Sequence, residues 1–321
     1  MNKRITWIDW AKVICIWLMV SCHAGQKGMV LNLAYQFHMP AFFIISGFLF
    51  HPKGAGKELR ALGVPILFYS FIQFLWKILF ALYETGVSDL LEGGRLFNIL
   101  SSMLKSFITA SDISCFQGYW FVAVLLVIRL LMQWRFFRKN KYLIALIFIL
   151  FCCVEPSLNI PGLIRELKPY YVFPCLPFFV FGMGIKEKRL DVMKGNLGIK
   201  VAALLVFLIL THLQGFPDIS KYSYGINYSV FFTNAIIGSY LLYNLCNFLP
   251  FRSWIQDLST GTLLILGIHS IIYPIINTVF GHLGISFHYL PLLTGVITMA
   301  FCYPIIELFE SHFPVLLGKA R

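Results

Sequence analysis

Long apolar runs separated by short polar segments dominate the sequence. The runs reach lengths at which a helix, rising about 1.5 Å per residue, crosses the hydrocarbon core of a bilayer. They lack the alternation of apolar and polar residues that membrane β-strands show over about ten residues. The pattern therefore predicts an all-α, polytopic membrane helix bundle with about ten transmembrane helices, forming a single domain over residues 1–321. The predicted spans are 8–25, 33–50, 62–83, 117–134, 141–155, 170–185, 197–213, 226–248, 258–280 and 287–309.

The first apolar run is unusual because three ionisable residues, Asp9, Lys12 and His23, lie within it. Such groups are costly in lipid, so they are expected to face a protein interior or a water-filled cavity and to serve a function. Lys12 and His23 are separated by three helical turns plus roughly 20°, which is about 16 Å along the helix axis. The spacing predicts a polar track on one helix face, with a cation at one end and an imidazole at the other.

The composition agrees with a membrane protein, since 59% of the residues are hydrophobic and only 12% are charged. The net charge of +12 would also suit a nucleic-acid-binding protein, but its distribution argues against that class. With the N-terminus in the cytoplasm, 17 of the 26 Lys and Arg residues fall on the cytoplasmic side and six on the outer side. Lys12, Lys77 and Arg129 fall inside spans. This positive-inside distribution predicts two cytoplasmic termini, a lipid bilayer as the surroundings and no bound nucleic acid.

Neither a disulfide framework nor a metal site is expected from the sequence. The eight cysteines show no C-x-x-C or other metal-type spacing, and seven of them fall in predicted spans. No predicted helix face combines histidines and acids at the spacing of a zinc site.

The longest predicted outer segment, 84–117, carries apolar residues at helical spacing and predicts an amphipathic helix. This helix could lie on the outer leaflet or cover the bundle as a substrate lid, and the sequence does not distinguish the two.

Candidate chemical groups lie at both ends of the polar track. His23 ends the first span and His38 begins the second after a short loop, so their imidazoles are expected to lie close together. Arg129 falls in the cytoplasmic half of the fourth span, near the depth of Lys12. Asp9 and Lys12 can pair at i and i+3, but that pair leaves two buried cations with one carboxylate. The sequence therefore predicts an anionic ligand near Lys12 and Arg129.

Four segments resemble sequence signatures of the acyltransferase-3 family of membrane-bound acyltransferases. Lys12, ten further residues and His23 resemble the R/K-x10-H signature, with lysine where arginine is more common. Residues 35–48 resemble the F-H-M-P-x-F-F-x-I-S-G-F element, and residues 118–121 resemble the W-F-L element. Residues 259–269 resemble a late span in which a glycine precedes a histidine. The resemblance covers the whole chain.

The resemblance implies transfer of an acyl group, usually acetyl from cytoplasmic acetyl-CoA, to a hydroxyl of an extracytoplasmic sugar, polysaccharide or glycolipid. It also implies an integral protein of the bacterial cell membrane that uses no metal. Direct transfer and an acyl-histidine intermediate are both open. The implied catalytic residues are His23, as general base or acyl carrier, and His38, as the group that orients it or stabilises developing charge. The implied ligands of the CoA phosphates are Lys12 and Arg129, with Asp9 as the residue that positions Lys12. The implied lining of the substrate cavity is Tyr119, Trp120 and His269.

The rival class is a transporter or flippase for a polysaccharide precursor or an acyl group, in which the same polar track conducts protons or solute. The confined position of the track and the lack of a detectable internal repeat favour the enzyme. The sequence identifies neither the acceptor nor the oligomeric state.

Overall fold

The computed structural model describes residues 5–92, 94, 96–101, 118, 120–158, 160–162, 164, 167–189 and 195–319. Across these residues the fold is helical and forms no strand, apart from an isolated bridge between Asp218 and Ser223. The all-α prediction is therefore confirmed. The helices are α1 (Thr6–His23), α2 (Gly28–Leu49), α3 (Ala55–Glu58), α4 (Val64–Glu92), α5 (Trp120–Leu131), α6 (Arg135–Lys139), α7 (Lys141–Val154), α8 (Val172–Glu187), α9 (Leu197–Gln214), α10 (Tyr228–Asn247), α11 (Ser253–Thr260), α12 (Thr262–His282) and α13 (Leu290–His312).

Several helices suit an integral membrane protein. Within the described ranges, six helices are long and apolar enough to cross a membrane. They are Gly28–Leu49, Ala55–Tyr83, Leu197–Gln214, Tyr228–Asn247, Thr262–His282 and Leu290–His312. Each of the ten predicted spans overlaps a helix, but the number of ten crossings stays a prediction.

Two helices begin and end differently from the sequence prediction. The third span is part of a longer helical run, because α3 continues through a π-helical turn, Leu59–Gly63, directly into α4. The ninth span is interrupted at Gly261, where α11 ends and α12 begins. Of the predicted amphipathic outer helix, residues 96–101 are helical, and 102–117 lie outside the described residues.

The first helix lies among other helices rather than at the edge of the bundle. α1 packs against α2, α10, α11, α12 and α13. Asp9 is only 6% exposed as a result, although the helix is apolar overall. The polar track predicted on α1 therefore faces protein, as the cost of ionisable groups in lipid requires.

Close packing of α2 against α8 depends on a glycine in each helix. A Cβ atom at Gly47 would lie 1.9 Å from the Phe179 carbonyl oxygen, and one at Gly182 would lie 2.0 Å from that of Ile44. Small residues allow this approach of membrane helices. The neighbouring Ser46 is thereby held where its hydroxyl reaches Arg129.

Candidate active site

Two histidines from distant parts of the chain form a hydrogen-bonded pair, here called the histidine centre (His23 and His269). His23 ends α1, His269 lies in the first half of α12, and His23 Nδ1 is 2.8 Å from His269 Nε2. The ring centroids are 5.1 Å apart. Because His269 is fully buried and His23 largely so, protein surrounds the pair on most sides.

Backbone contacts of His269 determine which nitrogen of each ring carries a proton. His269 Nδ1 lies 2.8 Å from the Leu266 carbonyl oxygen and 3.1 Å from that of Ile265. A carbonyl oxygen only accepts, so His269 Nδ1 donates and Nε2 of the neutral ring carries a lone pair. His23 Nδ1 then donates to His269 Nε2, and the lone pair of neutral His23 is on Nε2. The pair therefore presents His23 Nε2 as its base.

A glycine backbone lies against both rings of the histidine centre. Gly118 has a φ of +82°, which an L side chain rarely adopts. A Cβ atom there would lie 3.7 Å from His269 Cε1 and 3.8 Å from His23 Cε1. It would also lie 3.2 Å from a Leu266 methyl carbon. The positive φ therefore favours glycine at this position, where the backbone that precedes α5 lies against the two imidazoles.

His38 does not make the contact that the sequence prediction gave it. Its Nδ1 donates to the Ala34 carbonyl oxygen of its own helix at 2.6 Å, while the partner of His23 Nδ1 is His269. In the described contacts, the acceptor of His23 Nδ1 is therefore His269, and the predicted role of His38, as the group that orients His23 or stabilises developing charge, stays a prediction. His38 is nevertheless close enough to His23 for an electrostatic interaction. Asp218, a buried carboxylate that the sequence did not single out, interacts electrostatically with both histidines.

A cavity of about 230 Å³ is lined by Lys12 and also by Leu266, whose carbonyl oxygen contacts His269 of the histidine centre. On α1 it is lined by Lys12, Ile16 and Met19, which are the residues of one helical stripe that next reaches His23. The far end of the cavity is the part next to the histidine centre, where Met19 lies one helical turn before His23 and Leu266 contacts His269. The remaining lining is mostly apolar and includes Ile16, Met39, Phe42, Ile45, Phe121, Leu125 and Leu263.

The opposite end carries the ionisable groups and is called here the charged end (Lys12, Ser46, Lys53, Glu58 and Arg129). Arg129 binds Glu58 through two nitrogens, with Nε 2.7 Å from Oε2 and Nη2 3.1 Å from Oε1. Glu58 is completely buried. The prediction that Lys12 and Arg129 share one carboxylate is therefore wrong, because Glu58 supplies a second one. Lys12 and Arg129 line the same cavity, whereas their predicted common depth in the membrane stays a prediction.

Ser259 connects the two charged residues of α1. Lys12 Nζ donates to the Ser259 carbonyl oxygen, and the Ser259 hydroxyl donates to Asp9 Oδ1 at 2.6 Å. Both contacts join α1 to the last turn of α11. Asp9 thus fixes the residue that receives the Lys12 ammonium, which suits its predicted positioning role.

Tyr119 and Trp120 are predicted to line the substrate cavity, and the structure describes only one of them. Tyr119 lies outside the described residues. Trp120 is 5% exposed and packs against Tyr171 in an aromatic cluster that includes Tyr222. Burial raises the pKa of Tyr222 above its ordinary value. Trp120 does not line the cavity described above, but its neighbour Phe121 does.

A family model described as an acyltransferase domain matches residues 5–307, which is nearly the whole chain. No curated protein and no solved structure matches the chain. The match includes both ends of the cavity and both histidines of the histidine centre.

Proposed function

The chain belongs to the acyltransferase-3 family of membrane acyltransferases, and from this premise we propose the reaction that it catalyses. An acetyl group passes from cytoplasmic acetyl-CoA to a hydroxyl of an extracytoplasmic sugar, polysaccharide or glycolipid. The donor approaches through the charged end of the cavity, and the acceptor reaches the histidine centre from the opposite side of the membrane.

One observation carries this proposal: a single stripe of α1 carries Lys12 at the charged end, Ile16 and Met19 in the apolar lining of the cavity, and His23 in the histidine centre. Lys12 and Arg129 suit the phosphates of a CoA donor, because charge-assisted hydrogen bonds to phosphate are strong. The apolar middle suits a narrow pantetheine arm. A base at the far end suits the deprotonation of a hydroxyl.

His23 Nε2 is the base in this mechanism. It takes the proton of the acceptor hydroxyl as the acceptor oxygen bonds to the acyl carbon, and the acyl carbon–sulfur bond breaks. The proton on His23 then passes to the departing thiolate, which restores the neutral imidazole. Throughout, His269 Nε2 accepts from His23 Nδ1, so the ring keeps its orientation and its positive charge is partly dispersed. An acyl-histidine route would use the same His23 atom as the nucleophile.

The proposal is tested with membranes that contain the protein and acetyl-CoA labelled in its acetyl group. The wild type is expected to transfer or hydrolyse the label. Lys12→Arg is expected to retain this activity, and Lys12→Ala is expected to lose at least about tenfold in acetyl-CoA affinity, because a charge-assisted phosphate contact disappears. Asp9→Asn on the same helix keeps an oxygen that can accept from the Ser259 hydroxyl, so it removes only the charge of Asp9 and is expected to bind acetyl-CoA with an affinity close to that of the wild type.

Two results would contradict the proposal. If the wild type neither transfers, hydrolyses nor retains the acetyl label, the transporter class would be favoured instead. If Lys12→Ala binds acetyl-CoA as well as the wild type, the cation is structural. Label that remains on the protein after an acid quench, and that depends on His23, would indicate the acyl-histidine route.

The proposed topology has ten spans and two cytoplasmic termini in a bacterial cell membrane. We expect an impermeant thiol reagent added outside cells to label Ser223→Cys but not Lys139→Cys, because the positive-inside distribution places residue 139 in the cytoplasm. Both residues are exposed. The measurement is labelling above the wild-type background in intact and in permeabilised cells. Labelling of Lys139→Cys in intact cells would place residue 139 outside the cell and contradict the proposed topology.

A further inference from the structure

The charged end of the cavity contains more groups than the two cations predicted from the sequence. Lys53 lines it as well, with Nζ 3.9 Å from Glu58 Oε2. The Ser46 hydroxyl is 3.3 Å from Arg129 Nη1. Three cations, one carboxylate and a hydroxyl thus surround one small volume, and positive charge is in excess among these lining groups.

The segment that carries Lys53 is fixed to α5 by Gln133. Gln133 Oε1 accepts from the backbone N–H groups of Lys53 and Gly54, at 3.1 and 2.9 Å. Gln133 Nε2 donates to the Arg129 carbonyl oxygen at 3.0 Å. Together with the two hydrogen bonds that Arg129 donates to Glu58, these contacts hold cations from two parts of the chain in a preorganised arrangement.

The distance between the charged end and the histidine centre indicates which phosphate groups of the donor lie at the charged end. Lys12 and His23 are separated by about 16 Å along α1. A pantetheine arm, which contains two amide units, has a similar reach from its thioester to the 5′-diphosphate. When the acyl carbon lies at His23, the diphosphate therefore lies at the depth of Lys12. The 3′-phosphate belongs to the ribose beyond the diphosphate and extends towards the cytoplasm.

We infer that the charged end is a binding site for the 5′-diphosphate of the donor, with Lys53 as a ligand and Glu58 as the residue that positions Arg129. This inference rests on the proposed function. The 3′-phosphate and the adenosine lie outside the site, where cations such as Lys57 and Arg60 are exposed. Interactions with exposed cations are screened by water and salt, so they contribute little affinity. The site thus recognises the donor by its diphosphate and not by its nucleotide end.

The test measures the affinity of the purified protein in detergent for CoA, 3′-dephospho-CoA and pantetheine by calorimetry. CoA and 3′-dephospho-CoA are expected to bind within about threefold of each other, and pantetheine at least about 100-fold more weakly, because it lacks every phosphate. Lys53→Ala is expected to weaken both nucleotides about tenfold. Lys57→Ala is the matched control, since Lys57 is exposed on the same short segment and does not line the cavity.

Three other results would contradict either the inference or the proposed donor. A loss of tenfold or more on removal of the 3′-phosphate would overturn the inference and leave a CoA donor in place. Equal effects of Lys53→Ala and Lys57→Ala would also overturn it. If CoA itself does not bind, the proposed donor is wrong and the inference is wrong with it.

Discussion

Replacement of His23 by alanine is expected to lower acyl transfer by at least about 100-fold, because general base catalysis at the acceptor hydroxyl is lost. The variant is expected to retain donor affinity, since Lys12 at the charged end lies about three helical turns from His23 along α1. The measurement is turnover of labelled acetyl-CoA together with its affinity. A loss confined to turnover would separate catalysis from donor binding.

A control for this variant is His282→Ala, which removes an exposed imidazole at the end of α12. It is expected to keep wild-type turnover. Near-normal turnover of His23→Ala would contradict a base role for His23. His38 would then be the next candidate, because it is buried near His23 and its Nε2 also carries the lone pair when the ring is neutral.

Helical periodicity explains why the sequence could predict the polar track. The positions of Lys12 and His23 relative to each other depend on α1 alone, and a regular helix fixes them to one face. The cost of charge in lipid further predicts that this face meets protein. Neither of these two predictions about α1 requires knowledge of which helices pack against it.

Contacts between distant segments could not be predicted in the same way. His23 and His269 are 246 positions apart, and apolar periodicity shows which face of α12 is buried but not which helix packs against it. His38 is closer to His23 along the chain, so proximity suggested His38 as its partner, whereas His23 Nδ1 contacts His269. The structure shows that the own-helix carbonyl of Ala34 satisfies its Nδ1 instead.

Glu58 was missed for a related reason. The sequence placed it in a charged cytoplasmic segment, where a glutamate is ordinarily solvated. In the structure, α3 and the following π-helical turn continue into α4, and Glu58 is completely buried against Arg129. Because the helical run begins before the predicted span, Glu58 is buried in the bundle and not at the surface. Its carboxylate can therefore position Arg129 at the cavity.

Replacement of His269 is expected to show whether the histidine centre works as a pair. His269→Leu removes the acceptor of the His23 Nδ1 hydrogen bond, so the His23 ring loses both its fixed tautomer and its orientation. Turnover is expected to fall about 100-fold, the size of effect that a misdirected general base produces. Donor affinity is expected to stay within about threefold of the wild type, because His269 does not line the charged end.

His269→Gln is the discriminating partner of this variant. A glutamine oxygen can accept from His23 Nδ1 as the His269 ring does, so part of the lost turnover is expected to return although the imidazole is absent. A role of His269 in filling buried volume alone would predict similar losses for leucine and glutamine, with a matching fall in thermal stability. Equal turnover of the two variants would therefore contradict the orienting role, whereas recovery in His269→Gln at unchanged donor affinity would support a His23 base that depends on one hydrogen bond.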